Sequence, residues 1–162
     1  MRAEGVYLAE QLARLIQLVR REVRDMSDEE LNRVLNIQPT NTLFQLGTHI
    51  AGSARFWAIT NTGGTDFHRD RGSEFNAIGT NAELLANLDS LIEQITAHVS
   101  CLTAEQMERP CSLPTASFSF WEGADPLPQR HAVLHALEHT GLHLGHIQIT
   151  RQILGFDPVE EE

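Results

Sequence analysis

The sequence predicts an all-α protein built as a four-helix bundle. Three observations carry this. Four long segments repeat apolar residues every three or four positions, no segment alternates convincingly as a strand, and two long connections precede the third and fourth segments. The 162 residues suit a single domain over 1–162, with 157–162 an acidic tail, and a 41% hydrophobic share is that of a globular chain.

The first long helix is expected from about residue 6 to 23. Leu8, Leu12, Leu15, Val19 and Val23 form its apolar stripe. "SDEELNRVL" follows, where Ser27 with Glu30 is a capping box that starts a short helix, and "QPTN" ends it. The second long helix begins at Asn41 or Thr42 and reaches Ile59, with a stripe of Leu43, Leu46, Ile50, Ala54 and Trp57. Gly47 and Gly52 interrupt it at about 1 kcal/mol each relative to alanine, tolerable where a neighbour packs closely. A polar connection, "NTGGTDFHRDRGSEFNAIGT", leads to the third long helix. Thr80 and Glu83 cap it, and Leu84, Leu88, Leu91, Ile95 and Val99 form its stripe. "LTAEQMERP" reads as a short capped helix ended by Pro110. The stretch 111–128 reads as an ordered loop or a short extended piece. The fourth long helix starts near Pro128 and runs to Leu154, with Gly155 as its C-terminal cap and Leu142, Ile149 and Ile153 as its best apolar seam.

Charge and composition exclude several function classes. Net charge is −10, and all twelve basic residues are arginine. An acidic chain without a basic cluster does not suit nucleic acid or an anionic membrane as partner. No apolar run approaches the roughly 20 residues of a membrane span. In "MRAEGVYLAEQL" acids and arginines interrupt the apolar residues, unlike a signal peptide. Cys101 and Cys111 read as reduced thiols, and neither has the setting of an activated nucleophile. The expectation is a soluble cytoplasmic protein.

The chemistry concentrates in "HAVLHALEHTGLHLGH" at 131–146, where His131, His135, His139 and His143 are four residues apart and His146 follows. A step of four rotates about 40° on a helix and a step of three about −60°, so His135, His139 and His146 share the seam and His131 drifts out of it. One buried histidine is ordinary, but several in one stripe need a shared explanation. Histidines at i and i+4 can hold one ion from a single face. "HTGLH" lacks the glutamate of the zincin motif, and that reading fails. A third ligand must come from another helix, and His49 in "LFQLGTHIAGSARFW" is the candidate; His68 and His98 are less well placed. His49 with His139 and His143 makes one such set, and the pair His135 with His139 competes.

"TLFQLGTHIAGSARFW" followed by "LEHTGLHLGHIQITRQILG" resembles the DinB/YfiT-like superfamily, including its mycothiol-dependent branch. The resemblance implies a four-helix bundle with long connections before helices 3 and 4, and a divalent metal on His49, His139 and His143. His146 stands where the common pattern has glutamine. Three histidines leave an open position for water or substrate. Zinc fits best, and nickel, iron and manganese accept the same ligands. The resemblance favours a low-molecular-weight thiol, mycothiol or bacillithiol, as the activated group of an S-transferase. A metal-dependent hydrolase and a non-catalytic dimeric bundle in metal binding or stress response are the alternatives. The expected partners are a small-molecule substrate and a second copy of the chain. His146 and Ser53 are candidates to act beside the ligands. Arg69, Arg71 and Trp121 are candidates to shape the cofactor pocket, and a solvated loop with local Arg–Asp and Arg–Glu pairs is the favoured reading of the two arginines.

Overall fold

The computed structural model describes residues 3–37, 40–112, 127–157 and 159. It is all-helical there: α1 (Glu4–Val23), α2 (Asp28–Leu31), α3 (Leu43–Ala58), α4 (Arg71–Glu74), α5 (Asn81–Val99), α6 (Ala104–Met107) and α7 (Gln129–Ile153), with one 3-10 turn at Thr60–Thr62. The helix starts are those that cap chemistry dictates. Ser27, Thr42, Thr80 and Thr103 each accept a hydrogen bond from the backbone three residues on, and the residue at that position answers back. At the far end of α7, Gly155 takes φ +92, the left-handed conformation glycine adopts without strain.

The four long helices close into a ring in which α1 packs on α5 and α7, and α3 packs on α7 and α5. Their directions follow from which residues meet. Asn81 at the start of α5 donates to the Val23 carbonyl at the end of α1, so these two are antiparallel. Glu4 pairs with Arg130 and Glu22 with Arg151, so α1 and α7 run parallel. Gly47 lies against Leu84, and Arg55 reaches Gln94, so α3 and α5 are parallel as well. Two parallel neighbours cannot be joined by a tight turn. The chain between α3 and α5 must travel back along the bundle, which is why that connection is long. This return path carries Arg69, Glu74 and Phe75 to the middle of α3.

The core is built from the stripes of α1, α3 and α5. Leu12, Val19 and Val23, Leu43, Ile50 and Trp57, and Leu84, Leu88, Leu91, Ile95 and Val99 are all buried. In α1, Ile16 is buried and Leu15 only packs against the core. The fourth seam differs from the sequence expectation. Leu142, Ile149 and Ile153 are 59%, 57% and 51% exposed. The buried face of α7 is Ala132, Val133, Ala136, Thr140, Leu144, Ile147 and Thr150. Small residues dominate this face, and bulk alone pointed to the wrong side of the helix. Among the described residues, no helix is long and apolar enough to cross a membrane.

Candidate metal centre

α3 and α7 run antiparallel, which sets His49 opposite His139 and His143. The centroid of the His49 ring lies 4.9 Å from that of His139 and 4.7 Å from that of His143. Each of the three offers a ring nitrogen within 4.8 Å of the others, a grouping that can hold one metal ion. His49 Nε2 and His139 Nε2 face each other at 3.1 Å. Two nitrogens on one tetrahedral zinc, each about 2.0–2.1 Å from it, stand about 3.3 Å apart, so this separation is within a few tenths of an ångström of a ligating edge. The donor set fits a borderline divalent cation. His135 turns away: its ring packs edge-on against Trp57 at 4.7 Å and lies 5.6 Å from His139.

The return connection supplies what surrounds His49. Asp70 caps α4 by accepting from the Gly72 and Ser73 amides. This short turn places Glu74 under α3, where His49 Nδ1 lies 2.7 Å from Glu74 Oε2. An ionised carboxylate only accepts, so His49 Nδ1–H is the donor and Nε2 keeps its lone pair toward α7. Arg69 grips the same carboxylate twice, with Nε to Oε1 at 2.7 Å and Nη2 to Oε2 at 2.9 Å. Phe75 covers the His49 ring at a centroid distance of 4.5 Å. Gly52 is what admits the carboxylate: a Cβ there would stand 2.1 Å from Glu74 Oε1. Gly47, by contrast, makes room for Leu84.

Burial and neighbouring charges hold His139 and His143 neutral. Burial, reinforced by the neighbouring histidines His143, His49 and His135 and by Arg69, lowers the His139 pKa to about 2. Burial also leads for His143, with His49, His146 and two arginines adding to it, and its pKa falls to about 4. Burial alone would raise the pKa of Glu74, but its hydrogen bonds with His49 and Arg69 prevail and lower it. The result is two neutral imidazoles, His139 and His143, in the protonation state that metal ligation requires. Among the described residues, the buried atoms Ser53 Oγ, His139 Nδ1 and Thr140 Oγ1 have no hydrogen-bond partner.

The remaining candidates separate cleanly. His146 is exposed, and its Nδ1 lies 3.2 Å from His143 Nδ1. Ser53 is buried one turn beyond His49. Arg69 is held in the Glu74 pair with its side chain 8% exposed, so it is no solvated loop residue. Arg71 lies over the Phe75 ring, 5.6 Å from its centroid. Trp121, with Phe118 and Phe120, lies outside the described residues. His68 is exposed in the connection, and His98 bonds Thr62 Oγ1 at 2.8 Å, away from the cluster. Cys101 and Cys111 form no disulfide. Sequence reasoning gave Glu74 no role beyond a local pair with arginine and missed its place beneath His49. Its one signal was Gly52, a helix-weakening residue one turn from a candidate ligand.

A helical bundle with histidines from two facing helices defines a class of protein that can hold an ion between them. The family model of the DinB superfamily matches residues 8–147, and the chain belongs to that superfamily. A crystal structure titled as the conserved protein of locus from Enterococcus faecalis shares the fold. It has a TM-score of 0.68 at 13% identity and covers 95% of this chain and 98% of that one. No curated protein matches the sequence.

Proposed function

We propose that this DinB-superfamily chain is a single-domain, metal-dependent enzyme that binds one divalent ion, zinc by ligand preference, through His49, His139 and His143. The approach of His49 Nε2 to His139 Nε2 carries the reading, because two ring nitrogens directed at each other at 3.1 Å stand close to the spacing of two ligands on one ion. The ion, when bound, supplies Lewis-acid activation of a thiol or water at the position the three histidines leave open. Glu74 holds the His49 tautomer, and Arg69 holds Glu74. Phe75 shields the His49 ring from water. The resemblance to the mycothiol-dependent branch favours a low-molecular-weight thiol over water, and S-transfer over hydrolysis.

The first test is metal content by mass spectrometry on tag-free, metal-replete protein. A single bound ion per chain, lost in both His49→Ala and His143→Ala, is the expected result and justifies a screen of thiols against electrophiles. Protein that stays empty, or variants that keep the ion, would overturn the reading and leave a non-catalytic bundle.

A homodimer is part of the same reading. Leu142, Ile149 and Ile153 lie along one exposed line of α7. Beside them, a Cβ added to Gly141 or Gly145 would meet nothing within 4 Å. Two glycines in mid-helix with nothing against an added Cβ among the described residues leave room for the close approach of a second copy. Light scattering should give a dimer mass that falls to the monomer in Leu142→Glu/Ile149→Glu. A parent that stays monomeric as its concentration rises would rule the dimer out.

A further inference from the structure

We propose that the cleft on the far side of Glu74 from the histidines is a binding site for a small oxyanion, with the Arg55 guanidinium as its cation. The cleft has a volume of about 410 Å³ between α3, α5 and the return connection, and Thr48, Arg55, Phe67, His68, Glu74 and Asn87 are among the residues that line it. Arg55 is six residues from His49, about 120° around α3, so the two sites open in different directions.

Arg55 is unusual for this chain. Several other part-buried arginines face carboxylates: Arg69 pairs with Glu74, Arg151 with Glu22, Arg130 with Glu4 and Arg20 with Asp89. Arg55 has only neutral acceptors, Gln94 Oε1 at 3.2 Å from Nε and Asn87 Oδ1 at 3.1 Å from Nη2. No carboxylate pairs with it among the described residues, although the chain has 22 acids. Burial lowers its pKa, but a guanidinium stays charged at neutral pH. Its plane lies over Phe67, with the central carbon 5.4 Å from the ring centroid, which fixes the direction of the fork.

A half-buried cation held by amides keeps unused donors. Two of the five Arg55 N–H groups are occupied, and Nη1 has no acceptor among the described residues. Asn87, which lines the cleft, accepts from Arg55 through its oxygen, and its NH₂ remains a donor. The Thr48 hydroxyl is a further donor on the wall. A carboxylate or phosphate oxygen matches this donor set, because a fork of N–H groups recognises two oxygens of one planar or tetrahedral anion. The Glu74 charge is already taken up by Arg69 and His49. Asp70 lines the same cleft and spends one oxygen on the Gly72 and Ser73 amides. Among the described lining residues, it is the carboxylate left to oppose an anion.

The site is independent of the metal reading and is tested separately. Inorganic phosphate and acetate are titrated in turn at constant ionic strength, with the Arg55 Nε–H and Asn87 side-chain NH₂ signals followed by nitrogen-edited NMR. A saturable shift in the millimolar range is expected. Saturation by phosphate alone assigns a phosphoryl ligand, and saturation by acetate alone a carboxylate. Asp70→Asn, which keeps the helix cap, should tighten binding several-fold. Asn87→Asp gives Arg55 a carboxylate of its own and should abolish the saturable shift without lowering Tm, a control free of the folding risk in Arg55→Gln. His143→Ala should leave the shift intact. Shifts that only follow salt, or that persist unchanged in Asn87→Asp, would overturn the site.

Discussion

Gly52→Ala is expected to destabilise the protein by about 2–4 kcal/mol and to weaken metal binding, although alanine is the better helix former by about 1 kcal/mol. The new Cβ would stand 2.1 Å from Glu74 Oε1 and 2.9 Å from Cδ. Neither distance is tolerable, and the carboxylate must leave. Its departure breaks three charge-assisted hydrogen bonds at once, one from His49 and two from Arg69. It also strands the Arg69 cation in a site where its side chain is 8% exposed, and an unpaired buried charge is the costly outcome. His49 loses the acceptor that selects its tautomer, so its Nε2 lone pair is no longer committed to α7. Gly47→Ala is the matched control. There the added Cβ meets the Leu84 methyl groups at 3.0 and 3.1 Å, ends of a flexible side chain that can yield. Urea unfolding of both variants, with zinc affinity measured by chelator competition, decides the matter. A Gly52→Ala protein as stable as Gly47→Ala would mean that Glu74 does not sit against α3.

The sequence made some of these features legible and hid others for physical reasons. In α3 and α5 the buried residues are the large aliphatic ones of a single stripe, Leu43, Leu46 and Ile50, then Leu84, Leu88 and Leu91, so periodicity and burial coincide. In α7 they do not. Alanine and threonine face the core, where the packing of α3 against α7 demands small side chains, while Leu142, Ile149 and Ile153 face out. A hydrophobicity pattern weighs bulk and therefore chose the outer face. The histidines were legible because their spacing is regular: two stand four residues apart on one helix, which suits a shared ion, and the third lies on another helix. Glu74 was not, because its position depends on how the return connection folds. Nothing local marks it among the neighbouring acids Asp66 and Asp70. Arg69 failed for the same reason. As sequence it is one of two arginines alternating with acids, and only the tertiary path separates the buried Arg69 from the exposed Arg71.

That path also brings several ionisable groups together away from water, and stability should follow pH accordingly. The metal-free protein is expected to lose about 2–4 kcal/mol between pH 6.5 and pH 4.5, well above ordinary acid denaturation. His139 and His143 titrate from 6.5 when unfolded but only near about 2 and about 4 when folded. Between those limits the unfolded chain binds more protons, so the free energy of unfolding falls as pH falls. Each group contributes at most about 1.4 kcal/mol per pH unit, and the sum is discounted because both rings are only partly buried and can swing toward solvent. Glu74 acts at the lower end: its folded pKa lies below 4.5, so the stability it gives is complete above that value and fades beneath it. His143→Gln removes one titrating ring and should flatten the upper part of the profile while leaving the lower part in place. Zinc should steepen it, because protons must displace the ion before they reach the rings. Urea unfolding at a series of pH values, with and without chelator, reads both effects. A chelated protein equally stable at pH 7 and pH 5 would show the rings taking up protons freely, and the crowded, desolvated cluster between α3 and α7 would then be wrong.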